Sequence, residues 1–378
     1  MIKYLEINNF KSHKETKINL SNLTVFCGSN SVGKSSVFQP LLLLRESFLN
    51  KTNFEYLDLL SNPIKIGTVA DAIYQYSSDD EISFRLKTEK ENYFFSFESK
   101  ENDFTKTLIN AKKEISCSSV DPSISLFNEN FQYISSSRIG PKESYRRDDV
   151  VVEKYKQISL NEGSAEYCIH FLYKNQSKKV IKQLINDNSK QEELIHQVTA
   201  WEKEISSGVN VIIKDAGKLG FELKYQYDTQ IGSKKTNEFS AVNVGFGLTY
   251  TLPIIVAILS SSPGALIIIE NPEAHLHPSG ISKLTQLICS AAEAGIQIVV
   301  ETHSDHIING ILIQCKKYED SKTIEGIDKE NVSIYQFEID NDRHCSQPEK
   351  IKIAEGGRIY SKPSGFFDQI AKDIRQLI

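Results

Sequence analysis

GSNSVGKS, at residues 28–35, is the stretch that decides how this chain folds. It follows the apolar run LTVFC (23–27) and precedes SVFQPLLLLRE (36–46), so a loop joins a predicted strand to a predicted helix. This is the setting of a phosphate loop, in which glycines let successive N–H groups point at a phosphate. The first turn of the helix adds the positive end of its dipole. The stretch therefore predicts binding of a nucleoside triphosphate, in preference to a glycine turn that binds nothing.

Each residue type in this phosphate loop has a chemical task. We expect the ammonium group of Lys34 to contact the β- and γ-phosphate oxygens and the hydroxyl of Ser35 to bind Mg²⁺. The predicted cofactors are accordingly ATP and Mg²⁺. The residues predicted to bind phosphate form one continuous segment: Gly28, Ser29, Asn30, Ser31, Val32, Gly33, Lys34, Ser35 and Ser36.

The composition is that of a globular protein with a large core. Of 378 residues, 40% are hydrophobic and 25% charged, and the formal net charge is −5. This charge argues against tight nonspecific binding of duplex DNA by the whole surface. Lys142, Arg146 and Arg147 are the best candidate for a local cationic patch, and a solvated loop is the favoured interpretation of them. The six cysteines include no C-x-x-C pair, which favours reduced thiols. Because the N-terminus carries charge and no apolar run is long enough to span a bilayer, we expect a soluble cytoplasmic protein with no membrane partner.

Two apolar runs in the second half of the chain end in residues that ATPases use. ALIII (265–269) leads to Glu270, and a carboxylate at the end of a buried strand is predicted to join Ser35 in the Mg²⁺ shell. QIVV (297–300) leads to ETHS (301–304), in which His303 is predicted to sense the γ-phosphate. A surface acid and a structural histidine are the alternatives.

A glycine turn, residues 243–247, precedes the apolar segment 248–259. The bare N–H groups at the start of a helix bind anions. A site without lysine is too weak to hold a triphosphate alone. Such a site, here with Gly245 and Gly247, can close over a triphosphate that another subunit already holds.

In their order, these motifs resemble an ABC-type ATPase head, and more closely the RecF/SMC-like and overcoming-lysogenization-defect ATPases of the AAA family. The resemblance rests on the segments NNFKSHKET (8–16), PEAHLHP (272–278) and ETHSDHIIN (301–309). A narrower resemblance, to bacterial ATPases that end in a short domain of unknown function, rests on RIGP (138–141), NVGFGLTYTLP (243–253) and AEGGRIYSKPSGFFDQ (354–369).

The resemblance implies that two heads sandwich two ATP molecules, each phosphate loop facing the partner's glycine turn. It implies that Asn243, Gly245 and Gly247 bind the γ-phosphate in trans, and that Lys11, Ser12 and His13 lie near the adenine. It also places His277 where an aspartate is common and Val244 where a serine is common.

The chain departs from the family pattern at Asn271. A glutamate that polarises the attacking water normally follows the acid at the end of the strand, and an amide cannot accept a proton. Asn271 can still orient water, and Glu273 is the substitute acid. The predicted catalytic residues are Glu270, Asn271, Glu273 and His303, with slow hydrolysis. A zinc site is an alternative use of the local histidines and acids: His275, His277, His303, His306, Glu270 and Glu273.

The predicted fold class is α/β: an ABC-ATPase head with a mixed central sheet, an antiparallel β subdomain and a small helical insertion. We expect an N-terminal ATPase lobe (1–140), an insertion (141–238) with one or two surface helices in 176–206, a C-terminal ATPase lobe (239–340) and a short C-terminal domain (341–378). From residue 243 onward the patterns predict helix, strand, helix, strand, helix. The last segment is predicted to end in an amphipathic helix.

The leading functional hypothesis is a molecular switch. ATP closes a homodimer, or a higher assembly of dimers, and the closed form controls a protein effector such as a nuclease or other toxin in anti-phage defence. The alternative is a DNA-maintenance ATPase that grips duplex DNA. A small-molecule kinase is disfavoured, since the glycine turn and His303 would then have no task.

Overall fold

A six-stranded sheet, here called the central sheet, separates two layers of the molecule. The structure is a computed structural model that describes residues 1–99, 104–113, 115–160, 162–229, 235–360 and 375–376. The strands are β1 (Ile2–Phe10), β2 (His13–Asn19), β3 (Leu23–Gly28), β4 (Tyr56–Asp58), β5 (Glu81–Thr88), β6 (Asn92–Glu98), β7 (Leu108–Ala111), β8 (Phe131–Ile134), β9 (Val209–Asp215), β10 (Phe221–Tyr227), β11 (Phe239–Ser240), β12 (Leu266–Glu270), β13 (Gln297–Glu301), β14 (Val332–Asp340), β15 (Cys345–Ile351), β16 (Ile353–Ala354) and β17 (Arg358–Ile359). The α-helices are α1 (Lys34–Leu49), α2 (Val69–Ala72), α3 (Cys168–Asn175), α4 (Leu194–Ile205), α5 (Phe246–Ser260), α6 (Pro278–Glu293) and α7 (Asp305–Asp320).

The central sheet has the strand order β15-β14-β3-β13-β12-β8. Strands β14, β3, β13, β12 and β8 run parallel, and β15 pairs antiparallel with β14. Both neighbours of β3 therefore come from the last third of the chain. The predicted mixed sheet is confirmed, and so is the predicted order of elements from residue 243 onward, as α5, β12, α6, β13 and α7.

The two faces of the central sheet bury alternate residues of the same strands. On β3, Val25 and Cys27 pack on one face with α3–α7 and β9–β10, whereas Phe26 packs on the other. On β12, Ile267 and Ile268 divide in the same way. Because successive side chains of a strand point to opposite faces, a strand covered on both sides is apolar throughout.

An antiparallel sheet, order β2-β1-β5-β6-β7-β4, covers the second face together with α1. The predicted strand pair at the N-terminus is confirmed as β1 and β2, with register pairs such as Ile7 with Thr16. The predicted helix after the phosphate loop is confirmed as α1, which buries four consecutive leucines, Leu41 to Leu44.

The insertion agrees with its prediction in one respect and differs in another. Of the one or two helices predicted within 176–206, one forms, as α4; the apolar residues near 181–185 form a 3₁₀ turn, Lys182–Leu184. The predicted surface position is wrong, because no residue of α4 is fully exposed and Val198 and Trp201 are buried in the core. The Trp201 indole donates to the Leu184 carbonyl at 3.1 Å, so a tertiary contact orders the segment that periodicity assigned to a helix.

The domain boundaries remain predictions, and the β14–β15 hairpin crosses the one at 340. The predicted terminal amphipathic helix lies almost wholly in 361–374 and 377–378, outside the described residues. Among the helices that the structure describes, none is both long and apolar enough to cross a membrane.

Candidate nucleotide-binding site

The ends of three parallel strands bring the motifs together at one edge of the central sheet. β3 ends at Gly28, β13 at Glu301 and β12 at Glu270. In the register, Glu270 lies beside Glu301, and Glu301 lies beside Phe26. Parallel strands place their carboxyl ends at the same edge, which is where ligands bind in open α/β sheets.

The phosphate loop depends on the two glycines of its motif. Gly28 has φ +135° and Gly33 has φ +92°, in the region that side chains disfavour. A Cβ on Gly28 would lie 2.5 Å from the Phe337 carbonyl oxygen. Gly33 is the N-cap of α1, which begins at Lys34. The Lys34 ammonium group donates to the Ser29 carbonyl at 2.5 Å, so the side chain curls back over the loop.

His13 supports the phosphate loop from inside the protein. Its Nε2 lies 3.0 Å from the Gly33 carbonyl oxygen, and its Nδ1 lies 2.9 Å from the Thr16 hydroxyl. A carbonyl only accepts, so Nε2 carries the proton. Burial lowers the pKa of His13 to about 4, against the opposing effect of the Gly33 hydrogen bond, and the ring is neutral at pH 7.

Of the other two residues predicted near the adenine, Lys11 donates to the Gln39 side chain at 3.0 Å. Ser12 lies beside the phosphate loop, where its hydroxyl is 2.7 Å from that of Ser346. Ser346 also donates to the Val32 carbonyl at 2.7 Å, so β15 holds the loop from a second side. Adenine contact stays a prediction, and His13, with no exposed surface, acts as a support.

Glu270 turns toward β8. Its two carboxylate oxygens accept from the Tyr133 hydroxyl at 2.7 Å and from the Ser136 N–H at 3.0 Å. Glu301, by contrast, accepts a hydrogen bond from the Ser35 hydroxyl at 2.9 Å and is only 5% exposed. Burial raises the pKa of Glu301 to about 7, the nearby charges of Glu270 and Glu273 add to the effect, and Ser35 and Lys34 oppose it.

Glu273 and the ETHS segment hold each other in place. One Glu273 oxygen accepts from the Thr302 hydroxyl at 2.8 Å and from the His303 N–H at 2.9 Å. His303 Nδ1 lies 3.2 Å from the Gly28 carbonyl oxygen and must donate to it, so Nε2 carries the lone pair of the neutral ring and donates to a phosphate oxygen only when the ring is protonated. Burial, followed by the nearby charge of Lys34, lowers the pKa of His303. The predicted switch histidine therefore contacts the phosphate loop directly.

The glycine turn has a different environment. Gly245 is the N-cap of α5, with φ −61°, and a Cβ built on it would meet no other atom within 4 Å among the described residues. Two apolar side chains beside it are exposed, Val242 by 44% and Phe246 by 56%. Gly247 is closely packed, since a Cβ there would lie 2.8 Å from the His275 carbonyl oxygen. The N-terminal end of α5 is thus open to solvent at Gly245 and Phe246.

The chain matches two known protein families. Residues 23–309 match the family described as "AAA domain, putative AbiEii toxin, Type IV TA system". The chain belongs to this AAA family. Residues 327–377 of the AAA protein also match a family of unknown function, DUF3696. Both matches confirm the resemblance drawn from the motifs.

Similar proteins extend the comparison. The Old nuclease of Escherichia phage P2 is 21% identical in an alignment 405 positions long, which covers 93% of this AAA protein and 67% of the nuclease. A solved SMC head bound to the C-winged helix domain of ScpA has a TM-score of 0.53 and 13% identity, over 93% of this chain and 98% of that one. The SMC head domain from Thermotoga maritima matches with a TM-score of 0.48 and 12% identity, over 93% and 99%. The likeness to the first of these heads confirms the predicted fold class.

Two residues that the structure places at the candidate site were given no role by sequence reasoning. Glu301 follows an apolar strand just as Glu270 does, so the same pattern would have found it. Arg138 is buried, and its guanidinium group donates to the carbonyls of Ser135 at 2.9 Å, Glu270 at 2.6 Å and Asn271 at 2.8 Å. Burial lowers the pKa of Arg138 to about 10. These bonds hold the backbone of Glu270 and Asn271 in place. In the sequence, the RIGP motif that contains Arg138 supported only a family resemblance.

Three buried oxygen atoms at this edge have no hydrogen-bond partner among the described residues: Asn271 Oδ1, Glu273 Oε2 and Glu301 Oε2. Oxygens of carboxylates and amides, with the Ser35 hydroxyl, suit a hard cation such as Mg²⁺ and the water around it. The residues present therefore fit Mg²⁺.

The zinc alternative and the basic patch have less support. In the part of the chain that the structure describes, no three His, Cys, Asp or Glu side chains are grouped as metal ligands. His277 instead caps α6, where its ring accepts from the Ser279 N–H at 3.3 Å. In the candidate basic patch, Arg147 is paired with Asp215, which reduces its local positive charge.

Proposed function

We propose that this AAA-family protein is an ATP-operated switch that pairs with a second copy and then controls a separate effector. The difference between its two phosphate-binding elements carries the proposal. The phosphate loop is supported by its own chain through His13 and Ser346, whereas Gly245 faces solvent beside exposed Phe246. An element that is open and apolar at its rim needs a partner, and a second copy offers a phosphate loop with its triphosphate.

Pairing around ATP explains how a nucleotide shifts the equilibrium between free and paired chains. A ligand shifts such an equilibrium only by its difference in affinity for the two states. ATP bound to one phosphate loop gains the N–H groups at the start of the partner's α5 only in the pair. A twofold arrangement lets both copies use the same two surfaces, so two ATP molecules close one dimer.

Mg²⁺ belongs to the same site. Ser35 supplies a hydroxyl, and the unpartnered oxygens at the sheet edge supply further acceptors. When bound, Mg²⁺ neutralises charge on the phosphate oxygens. Lys34 contributes a second positive charge, and His303, in the ETHS segment, adds a further one when its ring is protonated.

Hydrolysis is slow in this proposal. Asn271 occupies the position after Glu270 and cannot take a proton, while one Glu273 oxygen is committed to the ETHS segment. We expect Glu273→Gln to lower steady-state ATP turnover by about 100-fold, the usual contribution of a general base. The glutamine oxygen still accepts from Thr302, so the segment stays in place, and Asn271→Glu should raise turnover. Unchanged turnover in Glu273→Gln would show that Glu273 is not the base.

A nuclease or another toxin is the proposed effector, acting in anti-phage defence in the bacterial cytoplasm. The family description names a toxin of a toxin–antitoxin system, and the similar phage protein is named a nuclease. These names concern those proteins, and they make a nuclease or toxin the first partner class to test here.

The decisive experiment measures the mass of the purified chain in solution by light scattering, with Mg²⁺ and ATP, with ADP, and without nucleotide. We expect a dimer with ATP, and a monomer with Phe246→Glu under the same conditions, because a carboxylate at the rim opposes pairing. ATP affinity at a single site should stay within about twofold, since Phe246 is outside the phosphate loop. Ile324→Glu is the matched control, because Ile324 is 83% exposed beyond the far end of α7.

Two results would contradict the switch. If wild type binds ATP but its mass never changes, pairing is not the response to ATP. If the protein instead retards duplex DNA in a gel only when ATP is present, and high salt abolishes the shift, the result supports the DNA-gripping alternative over the switch.

A further inference from the structure

The carboxylate closest to the Mg²⁺-binding hydroxyl of Ser35 is on an unexpected strand. Ser35 donates to Glu301 Oε1 at 2.9 Å, and Glu301 Oε2 is buried with no hydrogen-bond partner among the described residues. A buried, unpartnered carboxylate oxygen is costly unless a ligand pairs with it. The Glu301 side chain is only 5% exposed and contacts the phosphate loop through Ser35.

The strand order explains why Glu301 has this position. β13 lies between β3 and β12 in the central sheet, so Glu301 ends the strand next to the phosphate loop and Glu270 ends the strand beyond it. Neighbouring strands are about 4.8 Å apart, which places β12 roughly twice as far from β3 as β13. Both Glu270 oxygens already accept hydrogen bonds, from Tyr133 and Ser136.

The backbone around Glu301 is also held in place. The Asn271 N–H donates to the Glu301 carbonyl at 2.8 Å, and the Thr302 N–H donates to the Phe26 carbonyl at 3.0 Å. These bonds tie β13 to both neighbouring strands at the point where the side chain leaves the sheet. A preorganised side chain of this kind is suited to a site that must bind a cation repeatedly in one geometry.

We propose that Glu301, rather than Glu270, supplies the carboxylate oxygen that faces the magnesium ion of bound nucleotide. The proposal rests on the proposed function, because it assumes that Ser35 binds the Mg²⁺ of an ATP complex. Mg²⁺ in nucleotide sites is held by one or two carboxylates together with phosphates and water, so one acid at this point is sufficient. Glu270 then positions β8 and the Arg138 loop.

Glu301→Gln isolates this role, because an amide oxygen still accepts from Ser35 while the negative charge is lost. The probe is Mn²⁺, titrated by calorimetry and by electron paramagnetic resonance into protein saturated with ADP, so that no turnover occurs. We expect Glu301→Gln to weaken Mn²⁺ binding by about 10- to 100-fold, and by more than Glu270→Gln does. In EDTA, Glu301→Gln should bind ATP at least as tightly as wild type, since a like charge near the triphosphate is gone.

The EDTA measurement separates a metal role from a structural one, because damage to the loop would weaken binding with and without metal alike. If Glu301→Gln does not fold, Glu301→Asp takes its place, with the same direction and a smaller loss. Mn²⁺ affinity within twofold of wild type, or a larger loss in Glu270→Gln, would overturn the assignment. Wild type that binds no ATP at all would instead refute the proposed function.

Discussion

The phosphate loop and the glycine turn both present N–H groups at the start of a helix, yet they differ in exposure and in the contacts that the rest of the chain makes with them. The phosphate loop is held by His13, Ser346 and Glu301, and its lysine curls over it. The glycine turn faces solvent with Phe246 exposed beside it. Under the proposed function, the first element holds a ligand within one chain, and the second meets a ligand that another copy brings.

This difference indicates where to look for assembly in a chain of this kind. A buried, braced element contributes to folding as well as to binding, so changes there affect both. An exposed position such as Gly245, where an added Cβ would meet no other atom within 4 Å, contributes little to folding, so a change there affects mainly what binds from outside. The following predictions use this separation between folding and assembly, and each of them could also refute it.

The largest expected effect is on the phosphate-loop side. Lys34→Ala should weaken ATP binding about 100-fold, since charge-assisted hydrogen bonds contribute about 1.5–3 kcal/mol each. Titration calorimetry with ATP and Mg²⁺ measures it. Lys14→Ala, which removes an exposed lysine from β2, should bind as wild type does. Equal losses in the two variants would mean that the loop does not hold the triphosphate.

A pair of glycine substitutions tests the comparison directly. Gly33→Ala places a Cβ 2.1 Å from the Ser346 hydroxyl and 2.4 Å from that of Ser12, at φ +92°. We expect it to lower the free energy of unfolding by about 2 kcal/mol or more. Gly245→Ala, at φ −61° and in open space, should leave unfolding unchanged to within about 0.5 kcal/mol and impair only ATP-dependent pairing.

Chemical denaturation and light scattering on the same samples separate these outcomes. Loss of stability in Gly245→Ala, or its absence in Gly33→Ala, would remove the distinction between a braced and an open element.

The smallest expected effect is the pH dependence of the free energy of unfolding that comes from His13, which supports the phosphate loop. Its pKa is about 4 in the folded protein and 6.5 ordinarily, so the unfolded chain binds the proton first as pH falls. The contribution of His13 is complete above about pH 6.5 and declines toward pH 4, by about 1.4 kcal/mol per pH unit in between. Wild type should therefore lose about 2 kcal/mol more than His13→Gln between pH 8 and pH 5 in denaturant titrations. If the free energies of unfolding of the two proteins change in parallel with pH, His13 does not support the phosphate loop in its neutral form.

Local patterns predicted most of the elements but not all of their surroundings. The strand pair at the N-terminus, α1 and the alternation from α5 to α7 follow from hydrophobic spacing, which is a property of neighbouring residues. The insertion was harder, since Leu184 is ordered by a bond from Trp201 rather than by helix periodicity. The mutual support of Glu273 and His303 was likewise invisible, although both residues had been chosen for their chemistry.

The amino-acid sequence alone determined that this chain carries a phosphate loop, a glycine turn and two strands that end in acids, because glycine spacing and apolar runs act through local backbone geometry. Only the tertiary structure decided which acid meets Ser35. That choice depends on β13 inserting between β3 and β12, a pairing of segments from opposite ends of the chain. Strand order arises from packing across the whole core, and no local pattern encodes it.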